Sequence, residues 1–227
     1  MSILRKYDNA NDTDTENNYF QYFRENLSYE IINGKIICMA PEADPNHGTI
    51  SFNLGGLFYM HLRGKPCKIY HDNNYLRIDL IAKQNNIDLP QINKLKDKYK
   101  PDLMVICDKS IDTPKGITGA PKLIVEVLSP KYIAYDREIK KNIYEAIGVY
   151  EYWIVSPSDK TIEIYILSEN GKYTLCETYF KYSEADIENI KDRKEFGIED
   201  EEIITEFTPK SFPDLTIRVD DVFDKLI

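Results

Sequence analysis

No stretch of this chain approaches the roughly 18 consecutive apolar residues that a membrane-spanning helix needs, so no membrane partner is expected. Its first residues, MSILRKYDNANDTDTENN, contain neither the apolar core nor the cleavage-type ending of a secretory signal, and a cytoplasmic location is expected. Cys-x-x-Cys pairs are missing. Cys38, Cys67, Cys107 and Cys176 stand far apart, which argues against a zinc site or disulfide frame and predicts reduced, mostly buried thiols. Excess positive charge is missing too: the formal net charge is −9, whereas gripping nucleic acid over a whole surface needs clustered Lys and Arg. A local basic groove stays open, with Lys94, Lys96, Lys98 and Lys100 in one segment and Arg137, Lys140 and Lys141 in another; charge patterning alone reads both as solvated faces.

What is present is a globular balance, 42% hydrophobic and 30% charged over 227 residues, enough for one sizeable core. With no internal repeat and no convincing linker, residues 1–17 read as a flexible N-terminal arm and residues 18–227 as a single domain. Residues 19–26 suit a short helix. Asn33-Gly34 between two β-rich runs, 28–32 and 35–40, signals a hairpin, with Glu30 in its first strand. The spacing of Ile50, Leu54, Leu57, Phe58 and Leu62 predicts a helix over 45–62, capped by Asp44 or Asn46, with His47 in its first turn. Strands are expected at 67–70, 75–80, 101–107 and 121–128, then a helix over 132–147 closed by Gly148, a strand at 150–156 and a hairpin at 161–167 and 172–180. Residues 215–219 read as a last strand before a small helix, while 83–100 and 184–202 are polar and left without a firm structure. The fold class is α/β, as an α+β mixed sheet.

The run Leu123 to Leu128 is apolar except for Glu126, and a strand of that kind is covered on both faces. A buried carboxylate costs several kcal/mol unless paired, protonated or bound to a cation. If Cys107 pairs antiparallel near Pro121, Asp102 falls opposite Glu126, and two facing carboxylates repel unless a cation lies between them. Asp136, Lys140 and Tyr144 follow at steps of four on the next helix, which stacks them along one side. Asp102, Glu126 and Lys140 could therefore form a metal-dependent hydrolytic centre, with hard oxygen ligands suited to Mg²⁺ or Mn²⁺. The bland reading is equally open at this point: Asp102 as a strand-start residue and Glu126 with Lys140 as a structural ion pair.

Several blocks resemble a known family: Tyr29-Glu30-Ile-Ile-Asn-Gly34, His47, Pro101-Asp102-Leu-Met-Val, Ala120-Pro121 through Glu126 to Pro130, Asp136 with Lys140, Gly148 to Trp153, and Phe212-Pro-Asp-Leu-Thr. Together they are similar to the Uma-type (DUF820-like) restriction endonuclease family, within the PD-(D/E)XK nuclease superfamily. The resemblance implies a restriction endonuclease-like αβββαβ core with an added N-terminal hairpin and a C-terminal hairpin extension. It also implies metal-dependent cleavage of DNA, with Asp102 and Glu126 as catalytic metal ligands. The superfamily lysine belongs two residues after the glutamate, where this chain has Leu128, so the lysine is expected on the following helix as Lys140, with Lys141 as runner-up. Glu30 and His47 match positions at the edge of the implied site and could position substrate or water. A homodimer is expected by analogy, for cutting both strands. The alternative is a catalytically inactive nuclease-fold module serving binding or assembly.

Overall fold

Short apolar strands build a mixed sheet in this protein, and the order in which they arrive decides which carboxylates meet. The computed structural model describes residues 29–38, 44–71, 74–88, 92, 97–195 and 203–227. The expected arm, the helix at 19–26, Lys94, Lys96 and the end of the acidic segment lie outside the described residues. β1 (Tyr29–Ile32) and β2 (Lys35–Cys38) form the expected hairpin, and Asn33 and Gly34 take φ of 49° and 73°, the left-handed pair that an Asn-Gly turn requires. Next comes α1 (Pro45–Leu62), capped by Asp44, which accepts the Asn46 N–H at 2.9 Å.

The chain continues through β3 (Lys68–His71), α2 (Ile78–Gln84), β4 (Leu103–Ile106), the short hairpin β5 (Asp112–Thr113) and β6 (Gly116–Ile117), and β7 (Leu123–Val127). A π-helical turn (Tyr135–Lys140) runs directly into α3 (Lys141–Ala146) and leads to β8 (Glu151–Ser156), β9 (Thr161–Leu167) and β10 (Tyr173–Phe180). α4 (Glu184–Glu195), the paired β11 (Glu206–Phe207) and β12 (Ile217–Arg218), and α5 (Val219–Val222) complete it.

Six strands share one sheet in the order β10-β9-β8-β7-β4-β3, antiparallel throughout except for the parallel pair β7 and β8 joined across α3. Helix α1, the meander β3-β4-β7, α3 and β8 give the expected αβββαβ order. Alternation along the strands sorts the core into two layers. Val125, Val105 and Trp153 pack with Leu54 and Phe58 of α1 and with Phe212 and Phe223 near the C-terminus. Met104, Ile124 and Ile154 pack with Ile81 of α2 and Ile143 and Tyr144 of α3. Among the described residues, no helix is long and apolar enough to cross a membrane.

Two expectations need correction. Residues 75–80 do not form a strand: Leu76 makes isolated bridges to Tyr99 and Ile117, and the chain then turns into α2. Alternation over six residues fitted a strand, but Ile78, Ile81 and Ala82 are buried together at helical spacing, and that packing decides the outcome. The thiols differ too. Cys67 and Cys107 flank the paired strands β3 and β4 and form a disulfide with sulfurs 2.05 Å apart, because cross-strand neighbours come close whatever their separation in sequence. Cys176 is free and exposed on β10 rather than buried.

Candidate active site

Strand pairing delivers the first two carboxylates. β4 runs against β7 in the register Leu103↔Val125 and Met104↔Ile124, which brings Asp102, one residue before β4, level with Glu126. This is the register read from the sequence. Glu126 is only 1% exposed and lies on the same side of β7 as Ile124, toward α3. Asp102 is held from two directions: its Oδ2 accepts the Val127 N–H at 2.7 Å and meets His47 Nε2 at 3.1 Å.

The facing wall is helical. Wide π turns recur at functional sites, and here the turn from Tyr135 to Lys140 aims Asp136 and Lys140 inward, both buried. The Lys140 Nζ lies 3.1 Å from Glu126 Oε1, 3.3 Å from Glu30 Oε1 and 3.3 Å from Asp136 Oδ1. One turn on, the Tyr144 hydroxyl donates to Glu126 Oε1 at 2.6 Å. Tyr144 is thus a core residue with its polar end fixed on the site.

Glu30 comes from the N-terminal hairpin. Asp97 accepts the Asn33 and Gly34 N–H groups at 2.9 and 2.8 Å, and Ile31 exchanges backbone hydrogen bonds with Lys98, so the hairpin is latched to the segment before β4. Glu30 Oε1 then accepts the Lys100 N–H at 2.6 Å and is buried. Lys141 points elsewhere: its ammonium lies 4.4 Å from the Tyr165 ring centre. Of the two basic segments, Arg137 is occupied by a two-pronged ion pair with Glu163, at 2.9 and 2.7 Å, while the Lys98 and Lys100 ammonium groups lie over the Tyr75 ring, Lys98 also donating to the Tyr29 hydroxyl at 2.9 Å.

Charge in this cluster is unbalanced. Glu30, Glu126 and Asp136 share the Lys140 ammonium, with Asp102 and its His47 contact alongside. Burial pushes the Glu126 carboxyl well above the usual carboxylate range, an effect that Lys140 opposes and Asp102, Asp136 and Glu30 reinforce. Asp136 is pushed up to about 6, again chiefly by burial. For Lys140, burial works toward the neutral amine, but the surrounding carboxylates, Glu126 first, hold the ammonium well above its ordinary value. Among the described residues the buried Tyr99 hydroxyl has no hydrogen-bond partner, and it lies within electrostatic reach of Asp97, Glu30 and Lys140. A buried hydroxyl of this kind has hydrogen-bonding capacity left for a further polar group.

The donor chemistry fits a hard cation: carboxylate oxygens converge and already hold a positive charge in the form of an ammonium. Among the described residues, no three acidic, imidazole or thiol groups stand together as a metal cage. Sequence reasoning did not include Asp136 in the site, although its spacing of four from Lys140 was visible. Tyr99 gave no signal, because its segment carried no readable pattern.

The sequence family described as Uma2, putative restriction endonuclease, matches residues 17–192. An uncharacterized protein of Synechocystis is 31% identical over 153 residues, covering 67% of this chain and 73% of its relative. A second uncharacterized Synechocystis protein is 26% identical over 165 residues, covering 71% of this chain and 85% of the relative. The fold is similar to the crystal structure of a putative nuclease belonging to DUF820 from Anabaena variabilis, with a TM-score of 0.55 and 15% identity over 86% of this chain and 89% of that one. With the family match spanning residues 17–192 of 227, the chain belongs to the Uma2 family of putative restriction endonucleases.

Proposed function

We propose that this protein is a divalent-metal-dependent endonuclease acting on DNA, with Asp102 and Glu126 holding Mg²⁺ or Mn²⁺ and Lys140 as the catalytic lysine. The observation that supports it is the buried Glu126, level with Asp102 across the β4–β7 ladder and facing an ammonium supplied by the next helix. Asp102 and Glu126 would hold the cation through their carboxylates, hard oxygen donors of the kind Mg²⁺ and Mn²⁺ take. When bound, such a cation neutralises charge on the scissile phosphate and makes a nearby water more acidic. Lys140 supplies a hydrogen-bond donor for that water or for a phosphate oxygen, and Glu30 and Asp136 hold its ammonium in place. His47 orients Asp102, and Tyr144 orients Glu126. Lys100, whose backbone N–H Glu30 accepts, and Lys98 beside it bring two ammonium groups over the Tyr75 ring, a local positive charge that backbone phosphates would meet.

One observation favours the second reading, an inactive binding or assembly module. Lys140 already closes the cluster as a three-way ion pair and its side chain is 6% exposed, so the site could be purely structural. Incubating supercoiled plasmid and single-stranded DNA with the protein and Mg²⁺ or Mn²⁺ separates the two. The nuclease reading expects metal-dependent nicking that falls by about 10²–10⁴-fold in Lys140→Ala. No cleavage of any substrate, with no metal uptake, would leave the module.

A further inference from the structure

Helix α1 is apolar on both sides. Ile50, Leu54, Phe58 and Leu62 face the core, yet the outward stripe carries Gly48, Phe52, Gly56, Tyr59 and Met60 in place of the usual charged residues. Phe52 is 78% exposed, Met60 67% and Tyr59 60%. A helix that is apolar all round is normally covered all round. Gly48, Phe52, Gly56 and Met60 follow one another at steps of four, so they form a single ridge in which a hollow and a knob alternate. Beyond the helix's own backbone, nothing among the described residues lies within 4 Å of where a side chain would begin at either glycine.

We infer that this ridge is a self-association surface whose occupant is α1 of a second copy of the chain. Laid antiparallel about a two-fold axis between Phe52 and Gly56, the ridge meets itself with Phe52 against Gly56 and Met60 against Gly48. Every knob finds a hollow, which is the self-complementarity a two-fold interface requires. Charge agrees. The chain carries a net −9, yet no acidic residue lies on this stripe, so two copies meet here without like-charge repulsion. DNA is a poor occupant, because the first cation along the stripe is Arg63 at its end. A stripe from Gly48 to Arg63 is ~23 Å long at 1.5 Å per residue, which makes a small interface and a concentration-dependent dimer. The competing surface is the free edge of β10, where Leu175 and Phe180 are exposed, but a bulge between Leu175 and Glu177 blunts that edge. This surface does not depend on the nuclease reading, and its test needs no activity.

Sedimentation velocity across a protein dilution series, with circular dichroism to verify folding, tests it. The wild type is expected to double in mass at high concentration. Phe52→Glu should stay monomeric, as should Gly56→Phe, which fills the hollow without touching the monomer's core, while Phe180→Glu should dimerise as the wild type does. A wild type that is monomeric at every concentration, a dimer that survives both α1 substitutions, or a dimer lost only in Phe180→Glu would each overturn it.

Discussion

Two buried glutamates in neighbouring strands show what separates a structural carboxylate from a candidate ligand. Glu151 is fully buried, and its oxygens receive the Trp153 indole N–H at 2.9 Å and the Ser211 N–H at 2.6 Å, so fixed neutral donors satisfy it. Glu126 instead faces other carboxylates, and its Oε1 is met by the Tyr144 hydroxyl at 2.6 Å and by the Lys140 ammonium at 3.1 Å, a charge it shares with Glu30 and Asp136. Removing that ammonium should be costly: Lys140→Met is expected to destabilise the metal-free protein by about 3–5 kcal/mol, the range for breaking a buried ion pair. Urea unfolding measures this, and added Mg²⁺ should narrow the gap if the carboxylates bind it. Glu126 and Lys140 were legible from sequence because a charge in an apolar run and a lysine at helical spacing both break a pattern. Glu30 was only half legible, since its burial depends on a latch through Asp97 in a segment with no readable period.

Among the elements, the β4–β7 pair and the π turn do the positioning. The register followed from pairing Cys107 antiparallel near Pro121, and Leu103↔Val125 bears it out. The π turn was not legible, because the sequence shows only helical spacing and an extra residue per turn leaves no mark on it. Deleting Ile139 should draw Tyr135–Lys140 into a regular helix and rotate Lys140 away from Glu126. The expected result is loss of metal-dependent cleavage with an unchanged far-ultraviolet circular dichroism spectrum; a deletion variant as active as the wild type would show that the turn has no such role. The strand expected at 75–80 failed because Ile78, Ile81 and Ala82 are buried together at helical spacing. The unpaired Cys67 and Cys107 failed because a contact made far along the sequence, across β3–β4, outweighed the local pattern.

At the scale of the whole molecule, the buried cluster links stability to pH and to cations. Asp136 is raised from 3.8 to about 6 by burial, so its contribution is complete below pH 3.8 and is lost as pH rises through about 6; Glu126 is shifted in the same direction. Metal-free protein should therefore show a melting temperature that falls between pH 4 and pH 7, with a flatter profile in Asp136→Asn. A cation in the cluster should offset that fall, since ionised carboxylates are what it binds. The measurement that bears most directly on the central claim is isothermal titration of Mn²⁺ at neutral pH into the wild type and Glu126→Gln. One saturable site in the wild type, weakened at least ~10-fold (about 1.4 kcal/mol) in the variant, is the expected result; equal binding by the two proteins, or none by either, would contradict a metal centre built on Asp102 and Glu126.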